Sequence, residues 1–233
     1  MTPKIFVALD YSSAKAAEEL VEQLNPNECG LKVGKQLFTA QGPHFIKNLV
    51  ARGFKVFLDL KFHDIPNTVA NACLSAADLG VWMINVHCLG GNKMLEESAK
   101  AIQSYGASAP KLIGVTLLTS LGATDLTPLG IHMSPEKLVL QLTQLAFNAG
   151  LDGIVSSAQE VASLRQRFPK PFLFVTPGIR LNETSDDDQK RIMTPVKALQ
   201  AGSDILVIGR PITQAKAPQQ VISQVLDTQL RIA

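Results

Sequence analysis

Apolar and β-branched residues gather into eight short runs along the chain, at positions 5–10, 30–33, 55–62, 82–88, 112–118, 153–156, 172–177 and 204–209. Runs of this length and composition read as strands. Between them, apolar residues recur at three-and-four spacing, as at 14–24, 68–79, 134–149 and 221–230, which predicts amphipathic helices. Ser134 before Pro135 and Glu136 supplies an N-cap, a first-position proline and a first-turn acid. The strands are apolar throughout rather than alternating, so they belong in a parallel sheet covered on both faces. Strand and helix alternate from end to end, and 233 residues shared among eight units leave roughly 29 each. That suits an α/β chain closed into a (β/α)8 TIM barrel, with a doubly wound open sheet as the alternative. No linker, low-complexity tract or repeat cuts the chain, so residues 1–233 are expected to form a single barrel domain.

Composition narrows the chemistry. The 22 basic and 20 acidic residues nearly cancel, and a net charge of +2 gives no broad field for nucleic acid or an anionic membrane. An anionic ligand must be held locally. No apolar stretch approaches the roughly 20 residues of a membrane helix, and the first residues lack the apolar core and cleavage site of a signal peptide, which places the chain in the cytoplasm. Cys29, Cys73 and Cys88 have neither disulfide-framework nor zinc-site spacing and read as buried reduced thiols. His44, His63, His87 and His132 are scattered without metal-ligand spacing, and the run Asp186, Asp187, Asp188 reads as a solvated loop face, so no metal is expected.

Charge enters the strands at one end. Asp10, Lys32, Asp59 and Lys61 lie near the C-terminal ends of the first three, where a barrel of this class carries its chemistry. Charges in strands this apolar are costly to bury unless paired. An ion-pair layer that merely fixes barrel register would account for any one of them; their convergence favours a site. Strand alternation puts Asp59 and Lys61 on one face, and Asp64 follows three residues later. Flanked by two aspartates, the Lys61 ammonium is favoured, which suits proton delivery or electrostatic stabilisation of a carbanion rather than nucleophilic attack. Pro66 ends the strand, and Asn67 or Thr68 could cap the next helix; Thr68 as a cap and Asp64 in a turn need no function.

An anion site is expected from Pro177, Gly178, Ile179 and Arg180 after the seventh strand and Gly209, Arg210 and Pro211 after the eighth. Glycines there let backbone N–H groups approach an oxyanion, and arginine adds a two-pronged contact. Two connections exceed what a helix join needs, 119–133 and 178–194, and the second reads as a lid.

The block Asp59-x-Lys61-x-x-Asp64-Ile65-Pro66-x-Thr68, with Ala8-Leu9-Asp10, Leu31-Lys32-Val33-Gly34, the stretch from Val175 to Arg180, and Ile208-Gly209-Arg210, closely resembles the bacterial type of the orotidine 5'-phosphate decarboxylase family. The resemblance runs from near residue 5 to near residue 215. It implies decarboxylation of orotidine 5'-monophosphate to UMP in pyrimidine nucleotide synthesis, with no cofactor and no metal, by a homodimer with shared sites. It assigns Lys61 as the acid that protonates C6, within an array of Lys32, Asp59, Lys61 and Asp64. It further implies that Asp64, Ile65 and Thr68 reach the partner's site, that Asp10 and Lys32 bind ribose, and that Thr119 meets the pyrimidine. Arg180, Gln189, Gly209 and Arg210 would grip phosphate. Magnesium-dependent sugar-phosphate decarboxylases and aldolases of the same superfamily share part of the block but use an acid on the second strand, where this chain has Lys32. A non-catalytic phosphate-ligand sensor gains little from so costly a charge array.

Overall fold

The computed structural model describes residues 2–181 and 193–230, with the side chains of 228–230 left undescribed. Eight parallel strands close into a barrel in sequence order: β1 (Ile5–Ala8), β2 (Gly30–Gly34), β3 (Val56–Phe62), β4 (Met83–His87), β5 (Lys111–Val115), β6 (Gly153–Val155), β7 (Leu173–Thr176) and β8 (Ile205–Ile208). Pairing of β1 with β8 completes the ring, so the open-sheet alternative does not hold. Helices among the described residues are α1 (Ala14–Val21), α2 (Lys35–Ala51), α3 (Pro66–Ala77), α4 (Asn92–Gln103), α5 (Ala123–Leu126), α6 (Pro135–Asn148), α7 (Ala158–Arg165), α8 (Pro195–Gln200), α9 (Arg210–Thr213) and α10 (Pro218–Leu230).

Each predicted strand run overlaps an observed strand, although the second ends one residue later than expected and the fifth begins one residue earlier and stops at Val115. Ser134 caps α6 as expected, its hydroxyl accepting from the Lys137 N–H at 3.4 Å. Helix α3 corrects an expectation: it starts at Pro66 with Ile65 as N-cap, so neither Asn67 nor Thr68 caps it. Proline at N1 needs no backbone donor and carries a helix-compatible φ, which lets the helix begin before either polar residue.

Two apolar layers result. Ile5, Leu31, Leu58, Ile84, Leu112 and Ile154 face outward against the helices and belong to the larger core. Phe6, Ala8, Phe57, Met83, Ile113, Val175, Ile205 and Val207 fill the barrel interior. Phe6 meets Phe57 edge-on and stacks on Trp82, packing the barrel below the strand C-termini. The barrel is therefore packed below a cavity that opens at the C-terminal mouth, the end where barrels of this class carry their chemistry. No helix among the described residues is long and apolar enough to cross a membrane.

Candidate active site

Above the plug, a cavity of about 630 Å³ is lined by residues from seven of the strands or the turns after them. Charge enters it from β1, β2 and β3. The Lys32 ammonium lies 3.0 Å from Asp10 Oδ1 and 3.4 Å from Asp59 Oδ2, and the Lys61 ammonium lies 2.6 Å from Asp59 Oδ1. Asp59 thus sits between two lysines, and Lys32 between two aspartates. Only about a tenth of the Lys32 and Asp59 side chains is exposed, whereas that of Asp10 is two-thirds open. Burial pushes the Asp59 carboxyl up, but Lys32, Lys61 and hydrogen bonds from Lys61 and Asn85 together outweigh it, holding the group below the ordinary carboxylate value.

The chain reaches this geometry by leaving regular strand form. Lys61 has φ 52°, the one non-glycine residue in the left-handed region among those described. For a residue with a Cβ that conformation costs about 1–2 kcal/mol, and such outliers persist where the surroundings over-determine them. Asn85 on β4 holds it: Asn85 Oδ1 accepts the Lys61 N–H at 2.7 Å, while Asn85 Nδ2 donates to Asp59 Oδ1 at 2.7 Å. Sequence reading missed Asn85. The available signal was a single uncharged polar residue within the apolar run Met83-Ile84-Asn85-Val86.

The remaining expected residues divide. Asp10, Lys32, Asp59, Lys61, Thr119, Arg180, Gly209 and Arg210 all line the cavity. Gly178, at φ 77°, makes the turn after β7 that a side chain would strain. Arg180 is largely buried, its guanidinium donating to the Ile179 carbonyl at 3.0 Å and its backbone N–H to the Met193 carbonyl at 3.0 Å. Gln189 and most of the expected lid lie outside the described residues. Asp64, Ile65 and Thr68 are exposed and do not line the cavity of their own chain. This corrects the expectation that Lys61 is flanked by two aspartates: the Asp64 carboxylate accepts the Ile65 N–H at 2.6 Å instead. β3 ends at Phe62, so Asp64 belongs to the turn rather than to the strand face that carries Lys61. Among the described residues no cluster of His, Cys, Asp and Glu could hold a metal ion.

Fold and mouth together define a (β/α)8-barrel enzyme whose cavity pairs a lysine–aspartate array with a cationic, glycine-rich rim. The family model for "Orotidine 5'-phosphate decarboxylase / HUMPS family" matches residues 3–225. A protein of Legionella pneumophila strain Lens named orotidine 5'-phosphate decarboxylase is 56% identical over 226 residues, covering 97% of this chain and 99% of the relative. One of the same name from Haemophilus influenzae is 55% identical over 225 residues, covering 97% and 98%. The crystal structure of orotidine 5'-phosphate decarboxylase from Lactobacillus acidophilus superposes with a TM-score of 0.88 at 35% identity, covering 97% of this chain and 99% of that one. The chain belongs to the orotidine 5'-phosphate decarboxylase / HUMPS family.

Proposed function

We propose that the chain, folded as one barrel domain, decarboxylates orotidine 5'-monophosphate to UMP in pyrimidine nucleotide synthesis, without metal or cofactor. One observation carries this reading: the linked ammonium and carboxylate groups of Lys32, Asp59 and Lys61 face the same cavity as Arg180, Gly209 and Arg210. The relatives that span nearly all of this chain bear the corresponding name. A basic residue on β2 favours this substrate over sugar phosphates handled through magnesium.

The chemistry follows from the charges. Breaking the bond from C6 to the carboxyl carbon releases carbon dioxide and leaves the electron pair on C6, where the pyrimidine ring delocalises it poorly. A fixed cation must meet that charge. Lys61 is that cation, and it then gives an Nζ proton to C6, forming UMP, and regains a proton from solvent. Asp59 orients Lys61 and faces the departing carboxylate. Lys32 and Asp10 hold ribose hydroxyls, Thr119 meets the base, and Arg180, Gly209 and Arg210 hold phosphate remote from the reacting carbon, so binding energy there orients C6.

We further propose a cytoplasmic homodimer in which Asp64, Ile65 and Thr68 complete the partner's site. All three are exposed, and Ile65, 67% open, is a large apolar side chain left uncovered by its own chain. The three free, buried cysteines fit a reducing compartment.

Mixing the protein with orotidine 5'-monophosphate in EDTA and following the orotate absorbance tests the reading. Loss of the chromophore with stoichiometric UMP is expected. Strict dependence on added magnesium would transfer the chain to the sugar-phosphate enzymes, and tight binding without turnover would make it a sensor.

A further inference from the structure

We propose that Asn85 is a positioning residue, which sets the backbone of Lys61 and the carboxylate of Asp59 for the decarboxylation proposed above, the reading on which this inference rests. The pairing of β3 with β4 shows why one is needed. Between the pairs Leu58–Ile84 and Phe62–Val86, β3 advances four residues while β4 advances two. Asp59 and Lys61 lie within that excess, where the regular ladder lapses and backbone groups need other partners. Asn85 is the β4 residue opposite it, between Ile84 and Val86.

Its carboxamide matches the gap in both polarity and reach. The oxygen takes the Lys61 N–H and the nitrogen gives a hydrogen to Asp59, each at 2.7 Å. Asn85 is fully buried, so each end of the amide would be costly to leave unmet. Aspartate would keep the acceptor and lose the donor; leucine would keep the shape and lose both. Because Lys61 holds φ 52° inside the register break, its contact with Asp59 is not set by strand alternation, and losing the Asn85 bond would free the backbone that aims its side chain. On Asp59, Oδ1 receives both Asn85 and the Lys61 ammonium while Oδ2 faces Lys32. Asn85 therefore selects which carboxylate oxygen serves which lysine. It is absent from the cavity lining and acts only through its two neighbours.

The full-length Asn85→Leu and Asn85→Asp variants test this. For Asn85→Leu the expected result is a kcat lower by about 100-fold, the size of effect that an ångström-scale misplacement produces, with KM and UMP affinity within about threefold of native. The acid limb of the kcat/KM profile should move to higher pH, because the Asp59 carboxylate has lost a hydrogen bond that favours its charged form. Asn85→Asp keeps the acceptor but sets a second carboxylate beside the first, so its limb should move further still. A purely structural role would lower the melting temperature and leave kcat per folded site and the limb as in the native enzyme, which overturns the proposal. If Asn85→Leu does not fold, the same two readings on Asn85→Asp decide. Crystal structures of the variants test the proposal without any need for turnover: Lys61 moved out of the left-handed region or away from Asp59 supports it, and native Lys61 geometry in Asn85→Leu overturns it. Native protein inactive on orotidine 5'-monophosphate would sink the functional reading and leave this structural test standing.

Discussion

Lys61→Ala removes one ammonium group and leaves almost everything that positions it. The bond from the residue 61 N–H to Asn85 uses the main chain and survives, and alanine bears the left-handed conformation no worse than lysine, since both carry a Cβ. Asp59 loses its 2.6 Å contact but keeps Lys32 at 3.4 Å and the Asn85 amide at 2.7 Å. A positioned proton donor contributes about 10²–10⁴ in rate, and a fixed charge aimed at developing charge contributes about 10²–10³. In the proposed mechanism the same ammonium supplies both, so the two factors overlap and do not multiply; kcat should fall by about 10²–10⁴-fold. The proposed phosphate grip lies beyond β7 and β8, so UMP affinity should stay within about threefold.

Stability should change far less. At 2.6 Å and an effective dielectric of about 20 the lost attraction is about 6 kcal/mol before desolvation. The Lys61 side chain is 29% exposed and Lys32 still neutralises Asp59, so the net loss reduces to about 1–2 kcal/mol, or about 2–8 °C in Tm. The sign with pH is fixed. The native Asp59 carboxyl lies below its unfolded value of 3.8, so its contribution is complete above that value and is lost as pH falls through the lower folded one. Removing a cation raises the folded value, so the gap between native and variant stability should narrow on acidification from pH 7 toward 3. Orotate absorbance, calorimetric titration with UMP and urea melts read the three quantities. A variant with kcat within tenfold of native, or one whose UMP binding falls in step with turnover, refutes the assignment of Lys61 as proton donor.

Other expectations are as specific. Burial first, then the neighbouring His63, Lys61 and Lys35, pushes the His87 imidazole down to about 4. Between pH 6.5 and 4 the unfolded chain therefore binds a proton that the folded one refuses, so this part of the stability is whole above 6.5 and is lost toward 4. Denaturant midpoints of His87→Phe should show a shallower fall over that range, and an unchanged slope would refute the point. Gly153→Ala would set a Cβ 2.2 Å from the Leu173 carbonyl oxygen of the adjacent strand, a backbone clash that should cost about 2–3 kcal/mol in a urea melt. Arg210→Ala should raise KM for orotidine 5'-monophosphate by at least about tenfold and weaken inhibition by inorganic phosphate, with Arg210→Lys restoring only part of it. Mixing Lys61→Ala with Asp64→Asn, each inactive alone, should restore turnover through hybrid dimers with one intact site; no recovery after confirmed subunit exchange would place each site within one chain.

What was legible in the sequence was whatever a single segment decides. The eight strands could be read because parallel strands buried on both faces must be apolar along their whole length, and the same rule made Lys32, Asp59 and Lys61 conspicuous. The ends of elements were less legible: α3 starts on Pro66 because proline at N1 supplied a start that the polar residues behind it were expected to provide. The nearness of Asp59 and Lys61 follows from a period of two in an extended strand, yet here it is reached through a left-handed lysine and a break in register. Lysine carries no sequence mark for that conformation, as glycine or asparagine would.

The hardest features to read join segments that the chain keeps apart. Asn85 lies 24 residues from the backbone it holds and 26 from the carboxylate it orients, so its role depends on the β3–β4 register, which no local pattern encodes. Asp64 shows the converse: five residues beyond Asp59, it resembles a member of the array until the end of β3 turns it outward. Desolvation therefore announces that a buried polar residue must have a partner, while register and strand ends decide which partner it has. For Asn85 that announcement was present in the sequence, since a fully buried amide with nothing to bond would destabilise β4 more than any apolar residue of the same size.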